Sequence, residues 1–286
     1  MIILELDIIF SFITAFMITY VAIPKVIFFS EKLRLLDEAG IRASHKGSVP
    51  IFGGIAIFTG IIFSLLFWAD IENIQFILVS ILIIFIVGLI DDLRQITAFK
   101  KLIGQIIATL ILIFFGDLQI ESMHGVLGVY DLPFWASLPF TIFVVIVITN
   151  GFNLIDGIDG LAGGIGLISS LSFGGIALIM EQIDMALIAF TLSGASVGFL
   201  KFNTFPARIF MGDTGSLVVG MILAVLAINC IKYGLVTETH SLPHIGPLLA
   251  ISLLAIPLFD SLSLIRETFH SFETSLTNES NLQYRN

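Results

Sequence analysis

The sequence predicts an all-α integral membrane protein, a polytopic helix bundle with about nine transmembrane helices, the N-terminus outside and the polar loops cytoplasmic. Composition is the first observation, since 57% of the 286 residues are hydrophobic and 12% are charged, against about 25% charged residues in a soluble domain. Periodicity is the second observation, because runs such as Phe76–Ile90 are apolar on every side. Lipid-embedded helices have this property, whereas the strands of a membrane barrel would alternate.

Apolar segments of near-spanning length follow one another along the chain. A membrane-spanning helix needs about 20 apolar residues, and fewer when its flanking residues snorkel. The first run has neither a basic stretch before it nor a small-residue cleavage site, so we expect a retained span. Residues 1–265 are expected to form one transmembrane domain, and residues 266–286 a polar, disordered cytoplasmic tail. The predicted spans lie near residues 7–28, 51–69, 73–90, 102–115, 134–149, 161–180, 183–200, 214–231 and 246–265.

Basic residues are sorted to one side of these spans. With the N-terminus outside, all 13 Lys and Arg residues except Lys232 fall at or beyond cytoplasmic span ends, which is a strong positive-inside pattern. The outer connections carry acidic residues instead, among them Asp117 and Glu181. The net charge of −9 is therefore divided by side and indicates no particular partner. The sizeable outer segment Gly116–Leu132 is predicted to form a small hairpin.

Five polar segments hold almost every residue that could do chemistry, and the threading places all five on the cytoplasmic face. This arrangement favours an active site built from loops at a membrane surface. The segments are Arg42–Pro50, Asp91–Lys101, Asn150–Gly160, Lys201–Gly215 and the stretch from Asp260 onward.

Two adjacent carboxylates, Asp91 and Asp92, follow the third predicted span. Because like charges repel and resist desolvation, such a pair at a membrane boundary generally needs a cation or basic partners. Mg²⁺ is the natural candidate, since it prefers oxygen ligands and is commonly shared with substrate phosphates. A solvated helix end explains the pair equally well from the sequence alone.

Polar side chains recur every three residues at Asn150, Asn153, Asp156 and Asp159. This spacing places successive members on neighbouring parts of one helical face, where they could hold a metal or bind polar substrate groups. A simple turn is the alternative, because Asn, Asp and Gly favour turns. We regard the turn as the weaker explanation, since it gives ordered polar groups at membrane depth no role.

The segment Asn203–Ser216 leads directly into the eighth predicted span. Asp213 or Thr214 could cap that helix, and free N–H groups at its start would favour a phosphate. Capping is the favoured explanation of Asp213 taken alone. Arg208 could add a cationic contact to the same ligand.

The first loop carries Arg42, His45 and Lys46 close together. Such a group would attract phosphate, although the positive-inside rule accounts for it without any site. The remaining histidines lack the spacing of metal ligands, so zinc is not expected.

Taken together, these segments resemble the polyprenyl-phosphate N-acetylhexosamine-1-phosphate transferase family, also called glycosyltransferase family 4, which contains the WecA-, TagO- and MraY-type membrane enzymes. The five motifs occur in the family's order and agree with the loop side deduced independently from charge. The matching stretches are His45–Gly54, Gly88–Lys101, Asn150–Gly164, Phe205–Gly220 and Ile256–Arg266.

The resemblance implies that a polyprenyl (undecaprenyl) phosphate attacks the β-phosphate of a UDP-N-acetylsugar and releases UMP, with Mg²⁺ as cofactor and Mn²⁺ as an alternative. By the family pattern, Lys101 matches a diphosphate-binding lysine, and Asp92 matches the group that deprotonates or orients the lipid phosphate. The implied catalytic residues are Asp91, Asp92, Asp156 and Asp159; the substrate-binding residues are His45, Lys101, Asn203 and Arg208; the metal ligands are Asp91, Asn153 and Asp213.

The same resemblance implies a multi-pass protein of the cytoplasmic (inner) membrane that initiates a cell-envelope glycan. The expected partners are the UDP-N-acetylsugar, the polyprenyl phosphate and the lipid bilayer, and nucleic acid is not expected. The sequence does not decide whether the protein forms a homodimer.

One departure from the family pattern concerns the C-terminal part. Members that resemble this chain continue past the segment Pro257–Arg266 into a cytoplasmic loop with a His-containing motif and further spans. A C-terminally shortened member is therefore expected, and the groups of that loop would otherwise help to hold the sugar nucleotide. The alternatives are an inactive or partner-dependent relative that acts as a membrane scaffold, and a transporter. A transporter would distribute acids along span interiors, whereas this chain clusters them at one surface.

Overall fold

The chain forms a bundle of α-helices, as predicted, in a computed structural model that describes residues 2–33, 49–233, 235–236, 241–242 and 245–260. Two short strands, β1 (Leu235–Val236) and β2 (Ser241–Leu242), pair antiparallel after α8. The helices are α1 (Ile2–Lys32), α2 (Gly53–Trp68), α3 (Ile71–Arg94), α4 (Ala98–Phe114), α5 (Phe134–Leu154), α6 (Leu161–Ile179), α7 (Ile183–Asn203), α8 (Gly212–Tyr233) and α9 (Ile245–Leu253).

Within the described residues, 6 helices are long and apolar enough to cross a membrane: α1, α3, α5, α6, α7 and α8. A polytopic membrane bundle is therefore confirmed. The number of crossings stays a prediction, because α2, α4 and α9 are shorter, with 16, 17 and 9 residues. The last predicted span ends at residues 261–265, which lie outside the described part of the chain.

Helix α8 forms the core of the bundle. Its most apolar stretch is 100% buried, and it packs against α2, α3, α5, α6, α7 and α9. A helix that is hydrophobic on every side is stable only when it is surrounded, and the neighbouring helices supply that surround. Gly88 of α3 lets the backbones approach closely, since a Cβ there would lie 2.7 Å from the carbonyl oxygen of Asp213. The first turn of α8 is thus held in the middle of one end of the bundle.

The opposite end carries the predicted hairpin. The Met123 N–H donates to the Tyr130 carbonyl at 2.8 Å, and the Leu132 N–H donates to the Glu121 carbonyl at 2.8 Å. A short 3-10 helix over Val126–Gly128 forms its tip, so the hairpin over 116–132 is confirmed. Because α8 runs the length of the bundle, this segment lies at the end remote from Asp213.

Candidate active site

Three charged side chains from three helices meet at the first turn of α8. The Lys101 Nζ of α4 lies 2.5 Å from Asp91 Oδ2 of α3 and 2.6 Å from Asp213 Oδ2 of α8. Asp91 is 7% exposed, and its other oxygen accepts a hydrogen bond from the Ile96 N–H at 2.7 Å. The single positive charge of Lys101 therefore offsets the repulsion between two carboxylates in a poorly solvated place.

Asn153 completes this cluster from the last turn of α5. Its Nδ2 donates to Asp213 Oδ1 and, at 2.8 Å, to Ser216 Oγ. Gln105 of α4 stabilises the last turns of α5, since its Nε2 donates to Thr149 Oγ1 and to Asn150 Oδ1, both at 3.0 Å. The end of α5 is thus fixed against both α4 and α8.

The cluster fits a hard divalent cation by the chemistry of its donors. Asp91, Asp213 and Asn153 offer two carboxylates and one amide oxygen, and Mg²⁺ is commonly held by one or two carboxylates together with waters and substrate phosphates. Among the described residues, no three His, Cys, Asp or Glu side chains form a metal-type group, so Asn153 would have to be the third protein ligand. Its amide would then turn Oδ1 inward, a rotation that leaves the backbone in place.

Asp92 points to a different part of α8 than Asp91 does. Its Oδ1 accepts from the Asp213 N–H at 2.8 Å, and its Oδ2 accepts from the Thr214 N–H at 2.9 Å and from Thr214 Oγ1. The cap of α8 is therefore a residue of α3, whereas the sequence suggested Asp213 or Thr214. These N–H groups are already paired, which removes the phosphate site expected at this helix start.

Asp156 and Asp159 lie beyond α5, in the turn that leads to α6. The spacing suggested one continuous helical face, but α5 ends at Leu154, and the Asp156 and Asp159 side chains bind backbone groups of another segment. Asp156 Oδ2 accepts from the Gly212 N–H at 3.0 Å, and Asp159 Oδ2 accepts from the Ala207 N–H at 3.0 Å. Desolvation by the surrounding protein raises the pKa of Asp156 well above its usual range.

Asn203 is 2% exposed and joins two loops. Its Oδ1 accepts from the Gly160 N–H at 2.9 Å, and its Nδ2 donates to the Ile209 carbonyl at 2.9 Å. Arg208 is exposed, and its Cζ lies 5.7 Å from the centroid of the Phe202 ring. Arg208 is therefore free to meet a ligand at the surface, whereas Asn203 holds the loops that frame the site.

The structure thus brings Asp91, Lys101, Asn153 and Asp213 into one cluster. Beside it, the carboxylates of Asp92 and Asp156 accept hydrogen bonds from backbone N–H groups at the start of α8. His45 lies outside the described residues, as do Arg42 and Lys46. Gln105 and Thr214 were not among the predicted site residues. A signal for Gln105 was present in the sequence, since it is an uncharged polar residue four positions after Lys101 within an apolar span.

Several known proteins are similar in sequence to this chain. A phospho-N-acetylmuramoyl-pentapeptide-transferase of Borrelia turicatae is 32% identical over 77% of this chain and 73% of its own length. Another, from Desulfitobacterium hafniense, is 34% identical over 75% of this chain and 73% of its own length. A probable undecaprenyl-phosphate N-acetylglucosaminyl 1-phosphate transferase of Bacillus subtilis is 28% identical over 97% of this chain and 76% of its own length.

The sequence profile described as glycosyl transferase family 4 matches residues 74–231. This range runs from α3 to α8 and contains every member of the carboxylate and lysine cluster. The match covers more than half of the chain, and the two relatives above 30% identity named here cover 77% and 75% of it. The chain therefore belongs to glycosyl transferase family 4.

Proposed function

We propose that this protein transfers an N-acetylhexosamine 1-phosphate from a UDP-sugar to a polyprenyl phosphate, such as undecaprenyl phosphate, in a Mg²⁺-dependent reaction that releases UMP. The observation that carries the proposal is the convergence of Asp91, Lys101, Asn153 and Asp213 at one end of the buried helix α8. The names of the relatives supply the reaction class, since all three are transferases of a phospho-sugar.

The reaction joins two polyanions at phosphorus. An oxygen of the lipid phosphate attacks the β-phosphorus of the UDP-sugar, and the bond from that phosphorus to the bridging oxygen breaks, so that the electron pair leaves with UMP. A new diphosphate then links sugar and lipid. Because negative charge accumulates on the leaving phosphate, fixed positive groups lower the barrier.

Asp91, Asn153 and Asp213 would hold the metal, with Mn²⁺ as a substitute for Mg²⁺. Bound there, the ion supplies neutralisation of the diphosphate and of the charge on the leaving group. The Lys101 ammonium contacts both carboxylates. With Asp91 and Asp213 engaged by the ion, Lys101 would bind the diphosphate, which is the role proposed for it.

The proposed location is the cytoplasmic membrane, with the cluster facing the cytoplasm where UDP-sugars are made. The threading assigns twelve basic residues to that side, the exposed Arg208 among them, and their charge favours binding of an anionic nucleotide. Asp156 and Asp159 shape the site by fixing the segment that precedes α8.

An assay of UMP release tests the proposal. The protein in detergent is mixed with undecaprenyl phosphate, Mg²⁺ and one of two donors, UDP-N-acetylglucosamine or UDP-N-acetylmuramoyl-pentapeptide. UMP should appear only with lipid phosphate present, and EDTA should stop it. The Asp91→Asn variant should lose at least about 100-fold in rate.

Asp184→Asn is the matched control, because Asp184 also joins two helices but lies at the remote end of the bundle, where it accepts from Asn73 Nδ2 at 3.0 Å. It should keep the parent rate. No turnover with any UDP-sugar would contradict the proposal and favour a scaffold, whereas equal rates in Asp91→Asn and parent would remove the metal assignment.

A further inference from the structure

Asp92, which lies beside the cluster, is unusual because both of its oxygens accept hydrogen bonds from the start of α8. Three donors of α8 point at it: the N–H groups of Asp213 and Thr214 and the hydroxyl of Thr214. This is the pattern of a helix N-cap, but the cap comes from α3, 121 residues earlier in the chain. A carboxylate at this position also interacts favourably with the positive end of the helix dipole.

The neighbouring contacts show that the cap is built into the fold. Gly212 leaves room for the Asp92 carboxylate, since a Cβ at position 212 would lie 2.9 Å from Asp92 Oδ2. Gly88, one turn earlier on α3, brings the two backbones together. Asp92 thus has close access to α8 because small residues stand on both sides of the contact.

The capped residue is itself a member of the cluster. The N–H of Asp213 binds Asp92, while the side chain of Asp213 binds Lys101 and Asn153. Fixing the backbone at this residue fixes the direction in which its carboxylate leaves the helix. Loss of the cap would let the first turn of α8 fray and would move that carboxylate.

We infer that Asp92 is a positioning residue, which caps α8 from α3 and thereby places Asp213 for metal binding. The role in metal binding rests on the proposed function, whereas the cap itself is independent of it. This role differs from the one that the family resemblance implies, in which Asp92 deprotonates or orients the lipid phosphate. Both of its oxygens accept hydrogen bonds from α8, and a base that contacts the substrate would not need these bonds.

Mn²⁺ binding without substrate separates the two roles. Its affinity is measured by electron paramagnetic resonance in the parent, Asp92→Ala, Asp92→Asn and Asp184→Ala. Asp92→Ala should weaken binding about tenfold, the factor that loss of a helix cap typically represents. Asp92→Asn should weaken binding less than Asp92→Ala, since its one amide oxygen can still accept from the start of α8, whereas its Nδ2 cannot accept from an N–H group. Asp184→Ala should match the parent.

A base that acts only on the lipid phosphate predicts a different result, namely parent affinity for Mn²⁺ in both Asp92 variants together with loss of UMP release in both. That result would overturn the inference, and so would equal losses of affinity in the Ala and Asn variants. Thr214→Val tests the contact from the other side, because it removes one donor while Asp92 stays intact. It should weaken Mn²⁺ binding about threefold, and Thr214→Ser should restore it.

Hydrogen–deuterium exchange of the same samples tests the cap without any metal. In Asp92→Ala, exchange at the start of α8 should speed up about tenfold while its buried second half keeps the parent rate. Unchanged exchange at the start of α8 would overturn the inference. A protein that binds no Mn²⁺ but shows the local change would refute the proposed metal function and leave the cap in place.

Discussion

Lys101 provides the sharpest stability prediction, because it stands between two carboxylates that the proposed metal would share. Its Nζ lies 2.5 Å from Asp91 and 2.6 Å from Asp213. In Lys101→Met the ammonium is lost, and the two carboxylates are left facing each other without a counter-charge. The metal-free variant should therefore be less stable than the parent.

The magnitude follows from the burial of the three groups. The side chains of Lys101, Asp91 and Asp213 are 18%, 8% and 27% exposed, so solvent screens the pairs only partly. Removing one partner of a buried ion pair costs about 3–5 kcal/mol, and the residual exposure favours the lower limit. A loss of about 3 kcal/mol corresponds to a fall in the unfolding midpoint of roughly 5 °C for a chain of this size.

Thermal unfolding in detergent, with and without Mg²⁺, measures both parts of the effect. In the parent an entering ion must displace Lys101, whereas the variant offers the same carboxylates without a competitor. The gain in midpoint on adding Mg²⁺ should thus be larger in Lys101→Met, where an ion at 100 times its dissociation constant adds about 2.7 kcal/mol. Lys100→Met is the control, since Lys100 is exposed on the same helix turn. Equal Mg²⁺ gains in variant and parent, or an unchanged metal-free midpoint, would refute this reasoning.

Three further perturbations test other parts of the site. Gly212→Ala should destabilise the protein by at least about 2 kcal/mol, because φ at Gly212 is 70° and a Cβ would overlap the carbonyl oxygen of Ile51; a parent-like unfolding midpoint would contradict this. Gln105→Leu should cost about 1–3 kcal/mol by leaving the Asn150 side chain without its donor, and it should slow UMP release, whereas unchanged stability and rate would argue against a role in holding α5. Asp156→Asn should stabilise the metal-free protein at pH 8 and have little effect at pH 4. The pKa of Asp156 is raised in the folded state, so the parent loses stability as pH rises above the unfolded value and the variant does not; a pH-independent difference in midpoint would show that the raised pKa is wrong.

Hydropathy and charge predicted most of the fold because both act locally and strongly in a membrane. Within the described part of the chain each apolar run forms helix, and the hairpin pairs residues 121–123 with 130–132, where turn residues interrupt the runs. The grouping of Asp91 and Asp213 was also predictable. Each follows or precedes a span on the same side, so the threading alone brings them to one end of the bundle.

The contacts within the site were not predictable, because they depend on which helices become neighbours. Helix caps are normally sought within a few residues of the helix start, yet Asp92 caps α8 from α3. Asp156 was expected on a helical face, whereas its Oδ2 accepts a hydrogen bond from the N–H of Gly212, 56 residues later in the chain. Its spacing relative to Asn153 carried no information about that distant partner.

Binding of Mn²⁺ in the absence of substrate tests the central claim, that Asp91 and Asp213 serve one shared ion. Titration followed by electron paramagnetic resonance should show one bound Mn²⁺ per chain in the parent, and Asp91→Asn and Asp213→Asn should each lose it. Parent affinity in either variant would contradict the shared site.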